Sequence, residues 1–147
     1  MIAIGSDHGG YELKQAIKKH LDERKIEYKD YGTYSTDSCN YADFGEAVAN
    51  AVAGGECEKG ILVCGTGIGI SIAANKVNGI RAACCSDTFS ARMTRLHNDA
   101  NIISMGGRVV GPGLACDMVD LFLDTEFEGG RHAERIACFT KIENKQK

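Results

Sequence analysis

The sequence predicts an α/β fold in which five parallel strands form one sheet covered by helices on both faces. Three observations predict it. Short apolar, β-branched runs recur five times along the 147 residues and alternate with stretches whose apolar residues follow the helical period. The run Ile61-Leu62-Val63-Cys64 has no polar alternation, as a strand buried on both faces requires. The connections between runs are long enough for helices, and parallel neighbours need such crossovers.

Met1 to Ile4 is the first strand, and Gly5-Ser6-Asp7-His8-Gly9-Gly10 leads from it into a helix over Tyr11 to Arg24 on which Leu13, Ile17 and Leu21 recur. Asp7 and His8 therefore follow a strand's carboxyl end, where open α/β sheets bind ligands. Asp7 also has the position of a helix cap. Ile26 to Tyr31 is a second strand, followed by a polar loop over 32–40 and a helix through Phe44, Val48 and Ala51 to about Ala53. Tyr41 at that helix's start is either a packing staple or an aromatic beside a sugar.

The third strand is broken by Gly65, Gly67 and Gly69, after which Ile70, Ile72, Ala73 and Ala74 read as a helix start. Such a turn gathers backbone N–H groups and the positive end of a helix dipole, so it suits an anion. Cys64 and Thr66 flank it. A thiol at a helix N-terminus is poised to become a thiolate, although a buried cysteine is often only packing. The spacing matches neither G-x-G-x-x-G nor a P-loop, which disfavours NAD and ATP.

Asn78-Gly79 is a turn before a fourth strand, Ile80 to Cys85, in which Cys84 and Cys85 face opposite sides as small apolar filling. A helix over Asp87 to Leu96 precedes His97-Asn98, and Ile102 to Met105 is the fifth strand, with Arg108 just beyond Gly106-Gly107. Pro112 opens another helix. The last helix follows Gly129-Gly130 and places Arg131 and Arg135 on one face, either solvated or as a fork for a phosphate. Taken together, the ends of strands one, three and five are expected to gather Asp7, His8, Cys64, Thr66, His97 and Asn98 on one rim.

The length predicts a single domain over 1–147. A net charge of −3 with dispersed basic residues gives no footprint for nucleic acid. No apolar run is long enough to span a bilayer, and Met1-Ile2-Ala3-Ile4 running straight into the loop lacks the pattern of a leader. Seven cysteines with no C-x-x-C pair argue against a disulfide framework or a zinc site and for the reduced cytoplasm.

The segments GSDHGG, CGTGIGISIAANK, RLHNDANIISMGGRVVG and EGGRHAERI resemble those of the type B ribose-5-phosphate isomerases, which group with the galactose-6-phosphate isomerase subunits. The resemblance runs from Ile2 to about Ile142. It implies a Rossmann-like three-layer α/β/α sandwich and an isomerase of ribose 5-phosphate and ribulose 5-phosphate, working through an enediolate with neither metal nor cofactor. By position, it implies Cys64 as the base with Thr66 in support, and Gly65, Gly67 and Gly69 as an anion hole. His97 aided by Asp7 would open the furanose ring, Asn98 would bind sugar oxygens, and His8, Arg108, Arg131 and Arg135 would hold the phosphate. One family branch carries a glutamate base on the turn, where this chain has Ile70, so the cysteine branch is the match. Ala42 stands where the family often has proline.

The resemblance further implies a homodimer or homotetramer with shared sites, the last helix reaching toward a partner. Two other readings remain at this level. One keeps the chemistry on a hexose 6-phosphate such as allose 6-phosphate or galactose 6-phosphate. The other is a non-catalytic phosphate-binding regulator on the same scaffold.

Overall fold

The computed structural model describes residues 1–146. Its strands are β1 (Ile2–Ser6), β2 (Tyr28–Asp30), β3 (Lys59–Cys64), β4 (Ala82–Cys84) and β5 (Ile102–Gly106). Its helices are α1 (Tyr11–Glu23), α2 (Tyr41–Ala53), α3 (Ile68–Asn75), α4 (Thr88–Asn98), α5 (Pro112–Asp124) and α6 (Arg131–Lys145), with a 3-10 turn over His8–Gly10. All strand pairs are parallel, in the order β2-β1-β3-β5-β4. The chain leaves β1 toward one sheet edge and resumes at β3 on the other side of β1. That reversal opens a crevice between the carboxyl ends of β1 and β3.

Successive strand residues point to opposite faces, so each strand feeds two apolar layers. Ile61 and Val63 join Ile4, Ile103 and Met105 under α1, α4 and α5, where Leu13, Ile17, Ala91, Met118 and Phe122 complete one layer. Leu62 and Cys64 face α2 and α3 and pack with Val48, Val52, Ile70 and Ala74. Burying a side chain the size of Phe122 stabilises the fold by about 2–3 kcal/mol. The result is the α/β/α sandwich expected, helices flanking the sheet on both sides.

The edge strands are shorter than the sequence predicts. Ile26 and Ile80 pack against the core but carry no ladder, because β2 and β4 each pair on one side only. α3 also begins two residues earlier than expected, at Ile68. Gly67 adopts φ +82° as the residue before the helix, so Gly69 lies within its first turn. Of the two adjacent thiols, Cys84 at the end of β4 is exposed and Cys85 just past the strand is buried, so only Cys85 fills the core.

One charged group is wholly enclosed. Lys14 of α1 reaches the carboxyl side of the sheet and donates to Asp30 Oδ1 (2.7 Å) and to the Thr33 carbonyl, while Lys18 holds Asp30 Oδ2 (2.9 Å) and Gly32 N–H donates to Oδ1 (2.9 Å). Burial pushes the Asp30 carboxyl up, but the two ammonium groups and the Gly32 donor outweigh it and hold its pKa below the ordinary value. Burial likewise lowers Lys14, against the pull of Asp30. The pair pins the start of the loop over 32–40 to the sheet.

Candidate active site

The crevice between β1 and β3 holds the first group of expected residues. Ser6 pairs with Val63, so Asp7 and Cys64 emerge side by side. Asp7 is buried; its backbone N–H donates to the Val63 carbonyl (3.2 Å), and its Oδ1 accepts from Gly10 N–H (3.0 Å). One Asp7 oxygen thus caps the 3-10 turn rather than α1, whose N-cap is Gly10 with no side-chain cap, and the other oxygen remains for further use. Gly10 permits the approach, since a Cβ there would lie 2.3 Å from the Val63 carbonyl oxygen. His8 Nδ1 accepts from Cys39 N–H (3.2 Å), and the Cys39 thiol lies 3.8 Å from the same nitrogen. The polar loop is therefore folded against this histidine.

Cys64 is 4% exposed, and its Sγ accepts a hydrogen bond from Gly67 N–H (3.1 Å). That bond fixes the sulfur at the head of α3, where the helix dipole presents its positive end. Thr66 Oγ1 accepts from Ile68 N–H (3.2 Å) and so satisfies one of the helix's orphan donors. Gly67 has no alternative: its φ is left-handed, and a Cβ there would fall 2.6 Å from the Met105 carbonyl carbon. The Tyr41 ring occupies the place of a Gly69 side chain, at 2.6 Å from it, which gives Tyr41 a packing role on the turn. Arg108 completes this rim. Its N–H donates to the Gly65 carbonyl (3.0 Å), Gly107 N–H donates to the Cys64 carbonyl (2.7 Å), and its guanidinium lies over Gly65.

Ser104 joins the site without a motif to announce it. It is fully buried on β5 and donates its hydroxyl to the Gly67 carbonyl, holding the turn from below. A lone hydroxyl within Ile102-Ile103-Ser104-Met105 was the available signal, since a buried polar group must find a partner.

His97 and Asn98 are not on this rim, contrary to expectation. They end α4, which runs back from the carboxyl edge of the sheet and delivers the chain to the amino edge, where Asn101 carbonyl accepts from Gly60 N–H (2.9 Å) and β5 begins. Arg131 and Arg135 belong to the same far edge. α6 packs on α4, and Glu128 N–H donates to the Leu96 carbonyl (3.1 Å) in the connection before it. Both arginines are exposed. His97 stacks on His132, with ring centroids 4.4 Å apart and planes 16° from parallel. His132 is 5% exposed, and its Nε2 has no hydrogen-bond partner among the described residues. Burial, then the neighbouring His97, lowers the His132 pKa, with Arg131 and Arg135 acting the same way and Glu128 opposing.

The expected site residues thus fall into two groups at opposite edges of the sheet. A thiol, a carboxylate, an imidazole and a guanidinium surround an anion-binding turn at the carboxyl edge. Two stacked imidazoles, an amide and two arginines lie at the amino edge, beside a cavity of about 420 Å³ lined by Arg81, Asn98, Phe139 and Ile142. The first set can bind an anion and move a proton; the second offers imidazole nitrogens and two guanidinium groups able to grip a phosphate.

Residues 2–139 match the ribose/galactose isomerase family. Ribose-5-phosphate isomerase B of Escherichia coli is 51% identical over 145 residues, covering 99% of this chain and 97% of its own. D-erythrulose-4-phosphate isomerase of Pectobacterium atrosepticum is 43% identical over 147 residues, covering 99% and 97%. Among solved structures, that of ribose-5-phosphate isomerase B from Clostridium thermocellum superposes with a TM-score of 0.98 at 57% identity, covering 99% of both chains.

Proposed function

The chain belongs to the ribose/galactose isomerase family, and from that premise we propose that it interconverts D-ribose 5-phosphate and D-ribulose 5-phosphate, a step of the pentose phosphate pathway, without a metal or a cofactor. It is a sugar-phosphate aldose–ketose isomerase. The observation that carries the reading is the Cys64 sulfur held by Gly67 N–H at the head of α3, a base and an anion-binding turn in one place.

The sugar enters as a ring. His97, with the free oxygen of Asp7, moves the proton that opens the furanose and exposes the aldehyde. Cys64 then takes the proton from the carbon beside the carbonyl and returns it to the carbonyl carbon through an enediolate, while the proton of the neighbouring hydroxyl passes to the former carbonyl oxygen. The developing oxyanion lies against N–H groups of the turn at Gly65 and Gly69, with Gly67 committed to the sulfur. Preorganised donors of this kind contribute roughly 3 kcal/mol each. Thr66 keeps the turn in shape, and Asn98 binds sugar oxygens. His8, Arg108, Arg131 and Arg135 hold the phosphate, whose binding energy fixes the reacting carbons.

These roles need both groups around one sugar, so the working unit is a homodimer, or a homotetramer of such dimers, in which the carboxyl edge of one protomer meets the amino edge of its partner. Surface chemistry supports this. α6 exposes Phe139 (41%) and Ile142 (55%), and α3 exposes Ile68 (56%) and Ile72 (55%) one turn apart. These exposed apolar side chains on two helices offer the contact such an assembly would bury. The whole chain 1–147 acts as one domain. Its seven free thiols fit the reducing cytoplasm, and among the described residues no helix is long and apolar enough to cross a membrane.

Turnover of ribose 5-phosphate in excess EDTA, with the parent and Cys64→Ala side by side, tests the proposal. Activity that survives chelation in the parent and vanishes in the folded variant supports a metal-free isomerase using this thiol. Loss in EDTA, or a variant with near-parent turnover, defeats it. Faster turnover of allose 6-phosphate would move the assignment to a hexose.

A further inference from the structure

We propose that His97, Glu128 and His132 form a binding site for a divalent transition-metal ion of the zinc class, and that its occupancy withdraws His97 from turnover. One ligand atom from each residue lies within 4.8 Å of the others. The three come from separate elements: the end of α4, the connection before α6, and the first turn of α6. Backbone bonds fix that arrangement. Glu128 N–H donates to the Leu96 carbonyl and His132 N–H to the Gly129 carbonyl, both at 3.1 Å.

The independent observation is the orphaned His132 Nε2, a buried ring nitrogen with no hydrogen-bond partner among the described residues. Such a group costs roughly 1–3 kcal/mol unless something satisfies it, and a metal ion would. Two imidazoles and a carboxylate suit Zn²⁺, Co²⁺ or Ni²⁺ far better than Mg²⁺ or Ca²⁺. Three protein ligands leave a fourth position for water or a substrate oxygen.

The geometry also says how the site would close. Imidazole lone pairs lie in the ring plane, so two rings stacked 16° from parallel do not yet converge on one ion. Metal–nitrogen bonds of about 2.0–2.1 Å require the ligand atoms to draw together. His132 is enclosed, whereas His97 is half-buried and Glu128 exposed, so the last two supply the movement. Arg131 and Arg135 oppose a cation here and Glu128 favours one. The predicted inhibition rests on the proposed role of His97; the binding site does not.

Co²⁺ titration of EDTA-stripped protein, followed by its visible ligand-field bands, tests the site. The expected result is one Co²⁺ per chain without the thiolate charge-transfer band that cysteine ligation produces. Affinity falls by more than roughly 10-fold in Glu128→Gln and in His132→Gln. Should His132→Gln fail to fold, the exposed Glu128→Gln carries the test. In the isomerase assay Zn²⁺ inhibits the parent reversibly. Glu128→Gln keeps the stripped enzyme's turnover and needs a correspondingly higher Zn²⁺ concentration. Equal Co²⁺ affinity in parent and variants, a thiolate spectrum, or no binding overturns the proposal. A parent that binds Co²⁺ at these residues yet turns over no sugar phosphate would instead defeat the assigned activity and leave the site standing.

Discussion

Cys64 closes β3 at the carboxyl edge of the sheet, and His97 lies in the last turn of α4 at the amino edge, so the two residues sit at opposite edges of the sheet. The β3/β5 register measures the gap. Gly60 pairs with Ile102 near the amino edge and Cys64 with Gly106 at the carboxyl edge. Four strand steps separate those levels by roughly 13 Å. No rotamer change brings this thiol and this imidazole to one sugar; in the proposed homodimer a second copy would.

Complementation follows from that separation. Cys64→Ala and His97→Asn are each expected to be inactive as homodimers. When equal amounts are unfolded together and refolded, half of the dimers are mixed, and each mixed dimer has one site with both residues intact. Activity should return to about one quarter of the parent value. A mixture as inactive as its components would place both residues in the same protomer's site.

The Gly67 prediction concerns the turn itself. Gly67→Ala must hold a side chain at φ +82° and push its Cβ against the Met105 backbone. The combined cost is at least about 2 kcal/mol, or roughly 4–8 °C in Tm for a chain of this size. The same change shifts the N–H that holds the Cys64 sulfur, so kcat should fall more than KM rises. A variant with parent Tm would show that the backbone relaxes without strain.

Much of this architecture is legible in the sequence because the central strands are buried on both faces, and an apolar run such as Ile61-Leu62-Val63 has few other meanings. The edge strands read too long, since apolar composition continues past the point where a one-sided ladder ends. Asp7, Cys64, Thr66 and Arg108 fall where βα turns must fall. His97 and Asn98 depart from the expected rim because nearness to a strand does not carry its direction: they precede β5 by a few residues, and what precedes a parallel strand lies at the amino edge. Lys14 and Asp30 meet across 16 positions with no periodic relation, so nothing in local pattern announces the pair.

Acid stability should report that pair. Asp30 has a folded pKa below its unfolded value, so it contributes stability above the ordinary carboxylate pKa of about 3.9, and this is lost as pH falls through that value toward the folded one. Protonation also strands the enclosed Lys14 ammonium. Asp30→Asn should lower stability near neutral pH by about 3 kcal/mol and flatten the decline between pH values of about 5 and 2. Urea unfolding across that range checks it, and parallel curves for parent and variant would remove Asp30 from the acid transition.

The phosphate grip assigned to the exposed Arg131 and Arg135 makes the last prediction, and it separates binding from structure. Both side chains lie on α6 away from the core, so Arg131→Gln should fold with parent Tm. If the guanidinium meets phosphate in the closed site, its loss costs at least about 2 kcal/mol, a fall of roughly 30-fold in kcat/KM on ribose 5-phosphate. Unphosphorylated ribose has nothing for the arginine to hold. Its rate should be low in the parent and unchanged by the substitution, because the two deletions remove the same contact. Equal losses on both substrates would mean that Arg131 supports the site's shape rather than the phosphate, and that the grip lies with His8 and Arg108 on the other edge.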